Sequence, residues 1–387
     1  MMDFELSDEQ RMFREMAREF VKRELTPDVI KEHERQHRFP LEIIKKMAAL
    51  GLTGDIVPQE YGGLGADWVS HGLISEEIGG AWFSLCLSVQ LVQTGLVEYP
   101  IVKFGNEEQK QRYLPPLAKA EKIGCLAAVE PNVGSDAAAV QATASLEEDH
   151  WVVSGFKTWI TNGSVADICI VLVQTEKKRG IGGLALLIVD RDTPGLSIVD
   201  IFPKTGVFCT PTSELRFNTC RVPKENLLGE VGKGLHIAME GISNVRYSLA
   251  AGCTGIIQSC INACCRYAQE RFQFGKPIGA FQLVQEMIAD MVISAEAARF
   301  LYLRVGNLKN RGVPCRRETS VAKVFATEAA LQACAKAIKI HGAYGYCDEF
   351  PVERHFRDVM APTLFGGTNE IHRLIIARDI LGIDAFR

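Results

Sequence analysis

The chain has 387 residues, 47% of them hydrophobic and 23% charged, with 43 basic and 47 acidic side chains and a formal net charge of −4. That length can bury a large core and allows two or three domains. The balanced charge lacks the basic excess of a nucleic-acid-binding surface, the opening MMDFELSDEQ lacks a signal-peptide core, and no apolar run reads as a membrane span; a cytoplasmic protein is expected.

Helical punctuation fills the first 120 residues. Ser7 followed three residues later by Gln10 is a capping box. Met12, Phe13, Met16, Phe20 and Val21 then fall on one helical face. Pro27 and Pro40 interrupt the pattern, and a further helix is expected from Pro40 to Ala49, ending near Gly51. PQEYGGLG (58–65) reads as a glycine-rich loop, and the apolar run from Val69 to Val102 as buried helices.

Between about 123 and 230 the texture changes. WVVSGFKTWITNG alternates, ADICIVLVQ and GLALLIVD are short apolar runs, TPGLSIV follows a turn signal, and SELRFNTCRVP alternates again. Short strands at this spacing predict a compact β domain, a barrel or sandwich. Helical periodicity returns after about 235, over 241–270, 282–309 and 318–340, separated by the breakers FGKPIGA and RGVPC. With a fourth helix from Thr368 to Leu381 these should pack as an antiparallel bundle. The fold class is therefore α+β, mainly α.

The 12 cysteines, including Cys260, Cys264 and Cys265, lie largely in apolar stretches. In an intracellular chain such thiols are buried small hydrophobes more often than disulfides. No His or third Cys stands near them at zinc-site spacing, so no metal site is expected. The order all-α, β, all-α is not the alternation of a dinucleotide-binding fold, and no GxGxxG follows a strand, which argues against a nicotinamide site.

Taken singly, VEPNVGSD (129–136), WIT (159–161), ERFQFGKPIGAFQ (270–282) and HGAYGY (341–346) are weak signals. Together with PQEYGGLG and GGTNEIHRLIIARDILG, in this order along the whole chain, they closely resemble the acyl-CoA dehydrogenase family. The resemblance implies an N-terminal α-helical domain (1–122), a middle β domain (123–232) and a C-terminal four-helix bundle (233–387). It also implies FAD in the crevice between them, an acyl-CoA substrate, an electron-transfer flavoprotein as acceptor, and a homotetramer. A flavin needs aromatic cover, hydrogen bonds at its polar edge and donors for its pyrophosphate.

By the same resemblance, residues 126–135 line the flavin and thioester, with Ser135 at the pantetheine arm or the flavin phosphates. Trp159 covers the isoalloxazine, and Thr161 donates to its reactive edge. Arg271 reaches a neighbouring protomer's pyrophosphate, which suits a planar, always-charged guanidinium. Phe274 and Gln282 lie along the adenosine, and Gly342 and Gly345 allow close backbone approach. Thr368 and Glu370 sit at a helix start, where N–H groups and the dipole favour phosphate. Val129 stands where relatives often carry Thr or Ser, which removes one side-chain hydrogen bond to the flavin. Ser135, Arg246, Gly366 and Gly367 would meet the substrate.

The larger departure concerns the base. The usual family reaction removes an α-proton while hydride passes to flavin, and a positioned carboxylate must take that proton. In most relatives this Glu precedes Gly-Thr near the C-terminus; here Gly366 occupies the position. Some relatives place it on an earlier helix immediately before an Arg; here that Arg is Arg246 and its predecessor is Val245. Three readings follow. Another group serves an atypical elimination, with Glu77 of SEEIGG as a weak candidate. The reaction needs no α-base, on an uncharged or cyclic acyl group, because relatives acting on anionic termini carry an Arg where this chain has Ser84. Or the protein acts on acyl groups carried by an acyl carrier protein, or binds a thioester without dehydrogenating it. A nucleic-acid role belongs to a branch with a longer basic C-terminal extension, whereas this sequence stops at Arg387.

Overall fold

A computed structural model describes residues 5–385; the stop at Arg387 lies outside them. The N-terminal helices are α1 (Asp8–Glu24), α2 (Pro27–Gln36), α3 (Leu41–Ala49) and α4 (Trp68–Ala81). The Ser7–Gln10 capping box forms reciprocally, and Pro27 occupies the first turn of α2, where its missing N–H costs nothing. On α1 the buried side chains are Phe13, Ala17 and Phe20, at helical spacing. Met12, expected among them, is 59% exposed because its position rotates it off that stripe.

Next come α5 (Phe83–Cys86), a π-helix (Leu87–Glu98), α6 (Tyr99–Phe104) and α7 (Glu107–Ala118). Contrary to the sequence expectation, two helical stretches, Phe83–Phe104 and Gly234–Glu270, are long and apolar enough to cross a membrane. Most of each lies inside the protein, 83% and 72% of the respective apolar windows. Their hydrophobicity is accounted for by core burial on nearly all sides.

The middle strands are β1 (Gly124–Ala127), β2 (Thr143–Glu147), β3 (His150–Thr161), β4 (Ile168–Gln174), β5 (Leu184–Asp190), β6 (Leu196–Asp200), β7 (Thr212–Pro223) and β8 (Leu227–Leu228). They form one sheet in the order β6-β7-β3-β2-β4-β5-β8, with β1 pairing β4 in parallel. β4 and β5 are buried on both faces, which explains their unbroken apolar runs. Ile168, Ile170, Leu172, Leu184, Leu186 and Ile188 pack toward the helical core that includes Tyr113 and Leu117 of α7. Cys169, Val171, Val173, Ala185, Leu187 and Val189 pack with Trp151, Leu215 and Phe217 inside the β domain.

The C-terminal bundle comprises α8 (Gly234–Glu270), a short hairpin of β9 (Phe272–Gln273) and β10 (Lys276–Pro277), α9 (Gln282–Asn310) and α10 (Arg316–His341). After α11 (Pro351–Asp358) and α12 (Ala361–Leu364) comes α13 (Asn369–Leu381), which is capped by Thr368 and lies against α10. α4 and α8 meet along a glycine seam. A methyl added at Gly79 would stand 2.6 Å from the Gly252 Cα, and one at Gly255 would stand 2.0 Å from the Glu76 carbonyl oxygen.

Candidate functional site

At the end of β3, Trp159 and Thr161 stand beside the VEPNVGSD loop. The Thr158 N–H donates to the Val129 carbonyl at 3.0 Å, which joins the two segments. Glu130 fixes the loop from beneath. Its oxygens accept from the N–H groups of Gln141 and Ala142, each at 2.9 Å, and from the Lys157 ammonium at 2.7 Å. Burial pushes the Lys157 ammonium below its ordinary value, and Glu130 partly opposes the shift. Above this anchored floor the Trp159 indole is 60% exposed, on a backbone with φ +59° that a bulky residue adopts only when its surroundings hold it there. An exposed ring at a strand end, with a threonine two residues on and Ser135 in the exposed loop, makes a platform for a flat cofactor.

The second part of the site is the turn Phe365-Gly366-Gly367-Thr368. Both glycines have positive φ, +67° and +91°, a region closed to most side chains. Arg246 of α8 donates from Nε to the Gly366 carbonyl at 2.6 Å, and neutral His372 reaches the same oxygen at 3.1 Å. Lys323 of α10 donates to the Gly367 carbonyl at 3.0 Å and to the Asn369 side chain at 2.7 Å. Burial, then the charges of Arg246 and Lys323, hold His372 down to about 3. Burial and nearby Arg316 bring Arg246 down to about 10, and burial brings Lys323 down to about 8. Among the described residues, a Cβ added at Gly366 would have only Arg246 Cγ (3.7 Å) and Val245 Cγ1 (3.8 Å) within 4 Å.

A third group lies at the α8–α9 turn. The Arg271 guanidinium stands 5.9 Å from the Tyr344 ring centroid, which brings ERFQFG to the HGAYGY turn. Phe274 is 92% exposed, and Gln282 at the start of α9 is exposed as well. Gly342, at φ +62°, has open space where a Cβ would go, whereas a Cβ at Gly345 would press on the Ile338 carbonyl at 2.8 Å. Thr368 caps α13 through the Ile371 N–H, and Glu370 is exposed on its first turn.

Two expectations need correction. Glu77 is held by α1: its carboxylate lies 2.7 Å from Arg18 and 3.6 Å from Arg14. It lines a charged cavity of about 680 Å³ shared with Glu76, Gln258 and Arg299. Burial raises its proton affinity, but its level on α4 matches residues 252–255 of α8, about two turns beyond Arg246. Ser84 is fully enclosed, with Oγ 3.4 Å from Glu34 and its carbonyl accepting from Thr210. Its identity therefore says little about the charge of an acyl group.

Sequence reasoning missed Lys323, Arg316 and His372, although Lys323 is a lone cation in the apolar run SVAKVFATEAA. It also missed the chain in which His71 bonds Asp55 and Ser248, each at 2.7 Å. That chain has a hydrolase-like order, but all three side chains are sealed from solvent, so no substrate reaches it. Among the described residues no group of three or more His, Cys, Asp or Glu could hold a metal ion.

The exposed indole, the adjoining threonine, the close-approach glycines and the capped start of α13 fit FAD in the donors and surfaces that they offer. Three family models match the chain: the acyl-CoA dehydrogenase N-terminal domain over residues 7–121, the middle domain over 125–220 and the C-terminal domain over 232–381. An acyl-CoA dehydrogenase of Bacillus subtilis (strain 168) is 42% identical over 97% of this chain and 99% of its own. The structure of butyryl-CoA dehydrogenase from Megasphaera elsdenii superposes with a TM-score of 0.95, at 35% identity over 98% of this chain and 100% of that one. The prolyl acyl carrier protein oxidase AnaB gives 0.93, at 32% identity and the same two coverages. Fold, motifs and full-length similarity together make this chain a member of the acyl-CoA dehydrogenase family of FAD-dependent oxidoreductases acting on CH–CH groups.

Proposed function

We propose that the protein oxidises an acyl-CoA thioester by a noncanonical elimination, in which no side-chain carboxylate from the usual positions receives the α-proton. The observation that carries this reading is the environment of Gly366. Its carbonyl is held by Arg246 and His372, among the described residues an added Cβ would meet only Arg246 and Val245 within 4 Å, and neither of those neighbours is acidic. A general base typically contributes about 10²–10⁴ in rate, so the absence of a carboxylate changes which substrates can react.

FAD supplies the hydride acceptor when bound. In our reading Trp159 covers the flavin ring and Thr161 donates to its edge. Val129 and Ser135 line the loop beside it, and Gly342, Gly345, Thr368 and Glu370 border its phosphate and adenosine end. Arg271, Phe274 and Gln282 complete the site of a neighbouring protomer. That last assignment suits a homotetramer, because Phe272, Phe274, Leu283 and Ile293 leave apolar surface on the β9–β10 hairpin and the first half of α9. We divide the chain into domains at 1–122, 123–232 and 233–387, place it in the cytoplasm, and assign an electron-transfer flavoprotein as acceptor.

The test is anaerobic mixing of the FAD-loaded protein with straight, branched and cyclic acyl-CoAs, read by flavin bleaching and by product mass. Bleaching by at least one thioester supports the reading. A second reading, oxidation of acyl groups on a carrier protein, is favoured by the similarity to the prolyl acyl carrier protein oxidase. It gains if carrier-linked acyl groups bleach the flavin and CoA esters do not. Bleaching by neither identifies a silent flavoprotein.

A further inference from the structure

Two buried cations, Arg246 and Lys323, converge on the Gly366–Gly367 turn without an acidic partner of their own. Arg246 is 6% exposed, yet only its Nε is satisfied; its two terminal nitrogens make no hydrogen bond or ion pair among the described residues. Lys323 is fully buried and bonds only neutral oxygens, those of Gly367 and Asn369. Arg316, exposed at the start of α10, adds positive charge near Arg246 and is itself offset by Asp379 and Asp384. The nearest acidic groups act from outside. Glu328 bonds Arg373 and Asn369, Glu370 is exposed, and Asp379 pairs with Arg317. His372 stays neutral and adds no negative charge.

Buried charges in folded proteins are normally paired, and a guanidinium with two unused donors is shaped for a carboxylate. The position from which this chain could offer one is Gly366, which has no side chain. We propose that the substrate brings the missing anion: an acyl thioester bearing a carboxylate on or next to its α-carbon, paired with Arg246 above Gly366. The substrate class rests on the reading under Proposed function, which sets the thioester's α-carbon against this turn. It replaces the uncharged acyl group expected from Ser84, whose side chain faces Glu34 instead.

Matched ligands test it. Methylmalonyl-CoA differs from isobutyryl-CoA, and succinyl-CoA from butyryl-CoA, by a carboxylate in place of a methyl group. Dissociation constants for all four are read from the flavin spectrum of the FAD-loaded protein. At least one anionic member should bind tenfold or more tightly than its neutral partner. Arg246→Gln should abolish that preference. Gly366→Glu, which leaves Arg246 intact and supplies an internal carboxylate, should abolish it too, so the test survives if the first variant does not fold. Equal binding within both pairs, expected if the flavin's own phosphates neutralise the cations, overturns the proposal, as does a preference that persists in either variant. If none of the four perturbs the flavin, the proposal fails, while the thioester reading stands or falls separately by the wider acyl-CoA and carrier-linked panel.

Discussion

Restoring a carboxylate at position 366 tests the chemistry directly. A glutamate there must adopt φ near +67°, which costs about 1–2 kcal/mol for a residue with a Cβ. The Cβ itself meets nothing closer than 3.7 Å, so no steric charge is added. The new carboxylate lies within reach of the unused Arg246 donors, and a hydrogen bond to a charged group returns about 1.5–3 kcal/mol. The two terms nearly cancel, so Gly366→Glu should fold with stability close to the parent. If the only obstacle to ordinary α,β-dehydrogenation is the absent base, the variant should bleach its flavin with butyryl-CoA about 10²–10⁴ times faster than the parent. Stopped-flow absorbance measures that rate, and thermal unfolding checks the fold. A variant that folds, retains FAD and shows no gain would refute the reasoning, and would locate the obstacle in how the acyl chain is held.

Glu130→Ala should strand the buried Lys157 ammonium and cost about 3–5 kcal/mol in urea unfolding, with weaker FAD retention. Glu130→Gln combined with Lys157→Met should recover part of that loss. His372 titrates near 6.5 when unfolded and near 3 when folded, so unfolding takes up a proton between those values. Its contribution to stability therefore falls as pH drops through that window, by at most about 1.4 kcal/mol per pH unit; His372→Gln should flatten the slope, and parallel curves would count against it. Gly79→Ala places a methyl 2.6 Å from the Gly252 Cα and should lose about 1–3 kcal/mol or more. Gly134→Ala meets nothing within 4 Å and should stay within about 0.5 kcal/mol of the parent, both read by denaturant titration.

Local signals in the sequence carried the elements well. The Ser7 cap, the β-branched runs and the three long helices appear where their patterns put them, because capping and periodicity are decided within a few residues. The Gly366 turn was legible as a departure from a motif. Its cationic surroundings were not, because Arg246, Lys323 and Gly367 meet only after α8, α10 and the 365–368 turn pack together. Ser84 and Glu77 misled for the same reason: α1 and α2 supply the partners that occupy them. The wide turns of Leu87–Glu98 had no sequence mark either, since a π-helix differs from an α-helix by hydrogen-bond register rather than composition.

Where Gly79 and Gly80 of α4 lie on Gly252 and Gly255 of α8, main chain touches main chain with no side chain between to slide or rearrange. The first and last thirds of the polypeptide thus behave mechanically as one block across that boundary. Admission of a cofactor or a long pantetheine arm would then fall to exposed loops of the sheet, such as residues 131–136. Motion confined to those parts would let the floor of the crevice stay fixed while its rim exchanges ligands.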